Sequence, residues 1–161
     1  MTAEPATVIA ALKRRGWMLG VAESLTGGAV TSALVSVSGA SSVVRGGVIA
    51  YATPIKHTIL GVDEGLLARE GAVHPEVALQ MAEGVRHAVQ VSGVAAEVGL
   101  STTGIAGPDS PDGQPVGTVH LAVVTPTRAE TRGYLFAGDR SEIRESAVRA
   151  ALDLLVEIVG E

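Results

Sequence analysis

Trp17-Met-Leu-Gly-Val-Ala-Glu-Ser-Leu-Thr-Gly-Gly28 is the stretch of this chain that decides its fold. Its first six residues predict a short buried strand, and Thr26-Gly27-Gly28 then opens a helix that runs to about Val37. Two glycines at such a turn let a ligand approach the backbone, and a helix N-terminus offers free N–H groups to an anion. A plain N-cap with a tight turn is an equally weighted interpretation. The spacing matches neither the dinucleotide fingerprint nor the P-loop.

The elements on either side of this stretch are predicted from periodicity and from turn residues. We expect helices over residues 5–15, 64–69 and 75–91, strands over 46–51 and 96–102, a hairpin over 116–125 and 131–137, and a last helix entered at 139–142. Helices that alternate with buried strands before a hairpin predict an α/β fold, a three-layer α/β/α sandwich with a mixed sheet, as one domain over residues 1–161. Ligands of such sheets bind beyond the carboxyl ends of strands, and the loops 23–28, 52–56 and 103–108 all follow predicted strands.

Composition narrows the class of function. The 161 residues carry a net charge of −5, 2% aromatic residues and no cysteine. A chain without a basic stripe or stacking aromatics is not expected to bind nucleic acid. Thiol nucleophiles and zinc-thiolate sites are excluded. We find no apolar run that could span a bilayer and no secretory signal, so a cytoplasmic protein without membrane contact is expected. Scattered apolar surface on a small domain makes a homo-oligomer the expected assembly.

Lys56 is the first candidate for chemistry. The chain has only two lysines against ten arginines, and Lys56 stands in a mostly apolar stretch that begins at Tyr51. Arginine is always charged, whereas burial can turn a lysine into a base. To act at neutral pH its pKa must fall by about three units, which burial can achieve. The commoner fate of a lysine is a solvated surface position.

Ser41 is the candidate nucleophile for that base, with the Tyr51 hydroxyl relaying the proton or steadying the amine. On its own, residues 39–42 would indicate a loop of small residues. Thr53, three residues before Lys56, is a second candidate that ranks below Ser41. Ser and Lys have this spacing on a helix in penicillin-type enzymes, but here Pro54 intervenes.

Two further segments are candidates for substrate binding. The loop that begins Thr103-Gly104 could cradle a polar substrate with its backbone, although a turn-rich loop is the alternative. Arg140 precedes the last helix and could contact a phosphate, although a surface role is commoner. The four histidines are scattered without a ligand cluster, so neither a metal nor a cofactor is expected.

Seven short motifs occur in order along nearly the whole chain. They are Ala22-Glu-Ser-x-Thr-Gly-Gly28, Tyr51-x4-Lys56, Leu60-Gly-Val62, Gly71-Ala-Val73, Thr103-Gly-Ile-Ala-Gly-Pro108, Pro115-Val-Gly-Thr118 and Gly138-Asp-Arg140. Each is modest alone, but the ordered set resembles the CinA C-terminal domain family, here in a stand-alone form. Active members of that family are nicotinamide-nucleotide amidohydrolases.

The resemblance implies an α/β/α fold and metal-free conversion of nicotinamide mononucleotide to nicotinate mononucleotide and ammonia, a step of pyridine nucleotide salvage. It implies Ser41 as nucleophile, Lys56 as base and Tyr51 as assistant. Substrate would be held by Ser24, Thr26, Gly27, Gly28, Thr103, Gly104 and Arg140. Residues 52–55 depart from the family pattern, which motivates the alternative of a catalytically degenerate nucleotide-binding or partner-binding domain of the same fold.

Overall fold

The computed structural model describes residues 2–160, which form five strands and six helices. In chain order these are α1 (Pro5–Arg15), β1 (Leu19–Glu23), α2 (Ala29–Val35), β2 (Val44–Ile49), α3 (Thr53–Thr58), α4 (Glu64–Glu70), α5 (Pro75–Ala88), β3 (Val98–Gly104), β4 (Thr118–Val124), β5 (Ala129–Leu135) and α6 (Arg140–Gly160). A single 3₁₀ turn, Ala40–Ser42, precedes β2. None of the helices between residues 2 and 160 is long and apolar enough to cross a membrane.

The strands form one mixed sheet in the order β2-β1-β3-β4-β5. The strand β1 pairs in parallel with both β2 and β3, whereas β4 and β5 are antiparallel to their neighbours. Apolar residues of α1, α2 and α6 pack on one face, and α5 with its neighbours packs on the other. The predicted α/β/α sandwich with a mixed sheet is therefore confirmed.

Successive side chains of a strand point to opposite faces of the sheet and so enter different hydrophobic clusters. Leu19 and Val21 of β1 contact the α1, α2 and α6 layer, whereas Ala22 contacts the α5 side. On that second side Gly99 of β3 lies so close to α5 that a Cβ atom would sit 1.8 Å from the carbonyl oxygen of Ala82. Small residues on this face therefore let α5 lie directly against the sheet, as buried strands with helices on both faces require.

The structure contains one helix that the sequence pattern did not predict. The helix α3 begins at Thr53 with Pro54 in its first turn. Pro54 indicated only that the preceding strand ends, but proline also suits the first turn of a helix because its fixed φ is already helical. This helix is what carries Lys56 back toward the sheet.

The strand directions gather several loops at one edge of the sheet. Because β1, β2 and β3 are parallel, the residues that follow Glu23, Ile49 and Gly104 lie at the same edge. The strand β5 also runs toward this edge, so the start of α6 at Arg140 lies there as well. This is the edge at which sheets of this type bind ligands.

Candidate active site

Lys56 is a buried residue that reaches the end of β1. Its side chain is 1% exposed, and it is the largest among the fully buried side chains of residues 2–160. The amine Nζ donates to Ser24 Oγ over 3.0 Å and to the carbonyl oxygen of Ala50 over 2.6 Å. A serine hydroxyl within hydrogen-bond reach of a buried lysine is the arrangement of a base-activated nucleophile.

Burial alters the proton affinity of this amine. Because an apolar environment disfavours the charged form, the pKa of Lys56 falls from 10.5 to about 8. The shift has the direction that the sequence predicted. An amine with this pKa is partly neutral near pH 7 to 8 and can accept a proton from the serine hydroxyl.

The buried amine also makes the stability of the fold depend on pH. Between pH 8 and pH 10.5 the unfolded chain binds one proton more than the native protein at Lys56, so the free energy of unfolding rises with pH across this window. The rise is about 3 kcal/mol at 1.36 kcal/mol per pKa unit. We expect urea unfolding to show this increase in the wild type relative to Lys56→Met. A difference between the two proteins that does not change with pH would contradict it.

Ser24 is held at the carboxyl end of β1. Its backbone N–H donates to the carbonyl oxygen of Thr102 over 3.1 Å, and its own carbonyl oxygen accepts from Gly27 N–H in a tight turn. Within the part of the chain that the structure describes, the backbone N–H groups of Leu25 and Thr26 have no hydrogen-bond partner. Leu25 lines the cavity over this serine, so its N–H can donate to a developing oxyanion, whereas Thr26 is fully buried.

A cavity of about 400 Å³ opens over the Ser24–Lys56 pair. Six of the ten residues predicted for the site line it, namely Ser24, Tyr51, Lys56, Thr103, Gly104 and Arg140. Asp109 and Asp112 also line it, and the sequence had not singled them out. A cavity of this size is within the range that binds small-molecule ligands.

The side chain of Arg140 connects two loops at the mouth of the cavity through hydrogen bonds. Its guanidinium donates to the carbonyl oxygen of Gly107 over 2.7 Å and to the Tyr51 hydroxyl over 3.1 Å. Tyr51 is 62% exposed and contacts Arg140 rather than the Lys56 amine. On the cavity wall, Thr103 Oγ1 donates to the carbonyl oxygen of Ala72, which holds residues 71–73 in place.

The predicted pairing of Ser41 with Lys56 is wrong. Ser41 lies in the exposed 3₁₀ turn before β2, whereas Lys56 follows the other end of that strand. Six residues of strand span about 20 Å. Ser41 lines a different cavity, beside Thr31 and Arg45. Strand direction therefore excludes Ser41 from the Lys56 site, and Ser24 occupies the position that Ser41 was expected to fill.

Three predicted substrate-binding residues do not line the cavity either. Thr26 is fully buried, and its hydroxyl shares a 2.8 Å hydrogen bond with Thr102 Oγ1. Gly27 and Gly28 have positive φ angles of 60° and 101°, which the turn into α2 requires. Their contribution is to the shape of the turn. Thr53 does line the cavity, but the Lys56 amine bonds Ser24 instead.

One signal in the sequence could have identified Ser24. Ser24 and Lys56 both come after predicted strands, whereas Ser41 comes before one. In a parallel pair the residues after both strands share an edge, and a residue before either strand lies at the other edge.

Among residues 2–160 no three His, Cys, Asp or Glu side chains lie together as metal ligands would.

The chain matches a known family over almost its full length. The model of the CinA C-terminal domain matches residues 2–159. A CinA-like protein of Frankia casuarinae is 48% identical over 148 residues, covering 92% of this chain but 33% of that protein. A CinA-like protein of Anaeromyxobacter dehalogenans is 47% identical over 153 residues, covering 94% of this chain and 36% of that protein. The chain thus spans only about a third of the length of these curated relatives.

Solved structures show the same fold. A CinA superfamily protein from Klebsiella pneumoniae superimposes with a TM-score of 0.90 at 31% identity, covering 97% of this chain and 95% of that one. The CinA superfamily protein from Escherichia coli gives a TM-score of 0.85 at 33% identity, covering 94% and 88%. The protein CihA from Agrobacterium tumefaciens gives 0.83 at 33% identity, covering 100% of both chains.

Proposed function

The chain belongs to the CinA C-terminal domain family, and from this premise we propose that it is a Ser/Lys amidohydrolase that converts nicotinamide mononucleotide to nicotinate mononucleotide and ammonia. The observation that carries the proposal is the 3.0 Å contact between Lys56 Nζ and Ser24 Oγ under an open cavity. This contact pairs a nucleophile with a base whose pKa is about 8.

The first half of the reaction forms an acyl-enzyme. Ser24 Oγ attacks the carboxamide carbon while its proton passes to the neutral Lys56 amine. The carbonyl oxygen becomes an oxyanion, for which the free N–H group of Leu25, a residue of the cavity lining, is the nearest donor along the chain. Lys56 then returns the proton to the amide nitrogen, the carbon–nitrogen bond breaks, and ammonia leaves.

The second half releases the acid. Water attacks the acyl carbon and gives a proton to Lys56, the bond to Ser24 Oγ breaks, and Lys56 reprotonates the serine. The carbonyl oxygen of Ala50, 2.6 Å from Nζ, keeps the amine directed at Ser24 through both halves. Lys56 thus serves alternately as base and acid, which an amine with a pKa close to the operating pH can do.

Arg140 is expected to bind the substrate phosphate, since its positively charged side chain lines the cavity at the solvent-exposed mouth. Charge-assisted hydrogen bonds contribute about 1.5–3 kcal/mol, so Arg140→Ala should raise KM for nicotinamide mononucleotide about 10- to 100-fold. Nicotinamide riboside, which lacks the phosphate, is the matched control substrate, and its KM should change by less than about threefold. An equal loss with both substrates would contradict a phosphate contact.

The proposed function is tested by incubating the purified chain with nicotinamide mononucleotide and measuring ammonia and nicotinate mononucleotide together. The two products should appear in equal amounts. Calorimetric binding of the nucleotide without either product would refute the hydrolase and support the degenerate nucleotide-binding alternative. Failure to bind any pyridine nucleotide would favour a partner-binding domain.

A further inference from the structure

Glu23 is a buried carboxylate that the reaction described above does not use. It is the last residue of β1, it is 1% exposed, and it directly precedes Ser24. Within residues 2–160 no lysine, arginine or histidine forms an ion pair with it. A buried carboxylate without a countercharge is costly unless hydrogen bonds satisfy it.

Three hydrogen bonds from the start of α2 satisfy this carboxylate. One oxygen accepts from Val30 N–H over 2.9 Å. The other accepts from Thr31 N–H over 2.9 Å and from Thr31 Oγ1 over 2.7 Å. The N-cap residue of α2 is Gly28, which has no side chain to cap the helix. Glu23 therefore caps α2 from the adjoining strand and meets the positive end of the helix dipole.

Residues 24–28 form a loop between β1 and α2. Glu23 belongs to the strand at one end of this loop, and its carboxylate is hydrogen-bonded to the helix at the other end. The loop leaves the sheet at Glu23 and enters α2 within two residues of Val30. Ser24 is its first residue, and its hydroxyl must lie within 3.0 Å of Lys56 Nζ. A displacement of about 1 Å at such a nucleophile can cost about 10²-fold in rate.

We propose that Glu23 is a positioning residue that holds Ser24 Oγ against Lys56 and keeps the N–H group of Leu25 at the cavity. The inference rests on the proposed function for its second readout only. Glutamine cannot replace this carboxylate, because one of its two terminal groups is an NH₂ that would face the backbone N–H of Val30 or Thr31.

The test compares Glu23→Gln and Glu23→Ala with the wild type by two readouts. The first is the rate at which a fluorophosphonate labels Ser24, with mass spectrometry to locate the adduct, because labelling needs an activated serine but no natural substrate. The second is kcat and KM for nicotinamide mononucleotide. Asp63→Asn is the matched control, since Asp63 caps α4 by accepting from Leu66 N–H over 2.8 Å and lies outside the cavity lining.

We expect both Glu23 variants to label about 10²-fold more slowly and to lose kcat by a similar factor, with KM within about threefold of the wild type. Asp63→Asn should keep the wild-type labelling rate and nearly the wild-type thermal stability, because asparagine can still accept from Leu66 N–H and caps a helix about as well as aspartate. Should Glu23→Ala fail to fold, Thr31→Val removes only the hydroxyl contact and should slow labelling about 3- to 10-fold.

Wild-type labelling and kcat in folded Glu23→Gln would overturn the inference, as would a wild-type protein in which Ser24 is not labelled at all. The inference and the proposed function can fail separately. Fast labelling of the wild type, slow labelling of Glu23→Gln and no ammonia from either would support the positioning role and refute the amidohydrolase. Equal ammonia release by the wild type and by Glu23→Gln would support the amidohydrolase and refute the positioning role.

Discussion

Ser24→Ala is expected to lower the rate of ammonia release from nicotinamide mononucleotide by at least about 10³-fold, because it removes the oxygen that we propose as the nucleophile. The substitution deletes one hydroxyl from a buried position, and its partner Lys56 keeps the bond to the Ala50 carbonyl oxygen. The protein should therefore fold and still bind substrate. The measurement is kcat by coupled ammonia assay, with circular dichroism to verify the fold.

Ser41→Ala is the matched control for this prediction. Ser41 is exposed, lines a separate cavity and precedes β2, at the opposite end of that strand from the site. Its loss should leave kcat within about twofold of the wild type. An inactive Ser41→Ala beside an active Ser24→Ala would restore the nucleophile that the sequence pattern had favoured and would contradict the geometry of the site.

Element order and burial were predictable because periodicity reports directly on which faces are covered. The predicted helix over residues 5–15 is α1, and the predicted hairpin is β4 with β5, each within a few residues. The scarcity of lysine also singled out Lys56, which the structure shows to be buried and in contact with Ser24. These inferences needed only local pattern and composition.

The partner of Lys56 was not predictable from spacing alone. Ser41 is nearer to Lys56 along the chain, but the parallel pairing of β1 with β2 places Ser24 beside it in space. Glu23 gave no signal either, because a carboxylate that caps a helix from the preceding strand looks like any polar strand end. Contacts made by the sheet, rather than by neighbours in sequence, decide which hydroxyl meets the amine.

Lys56→Met is expected to reduce kcat/KM by about 10³- to 10⁴-fold, near the upper range for loss of a general acid–base group. Methionine fills a similar apolar volume, so the fold should persist. In the wild type, kcat/KM should rise with pH and level off above a pKa of about 8, because only the neutral amine can accept the serine proton. The residual activity of Lys56→Met should lack this rising limb of the pH profile.

One further variant separates charge from proton transfer at this position, and a second, at Lys13, is its control. Lys56→Arg keeps a cation but cannot deprotonate in the accessible pH range, so it should be as inactive as Lys56→Met. Lys13→Met alters the only other lysine of the chain, which is exposed on α1, and should keep both the rate and the limb near pH 8. If Lys56→Met retained that limb, the group titrating near pH 8 would lie elsewhere, and Lys56 would only position the Ser24 hydroxyl rather than take its proton.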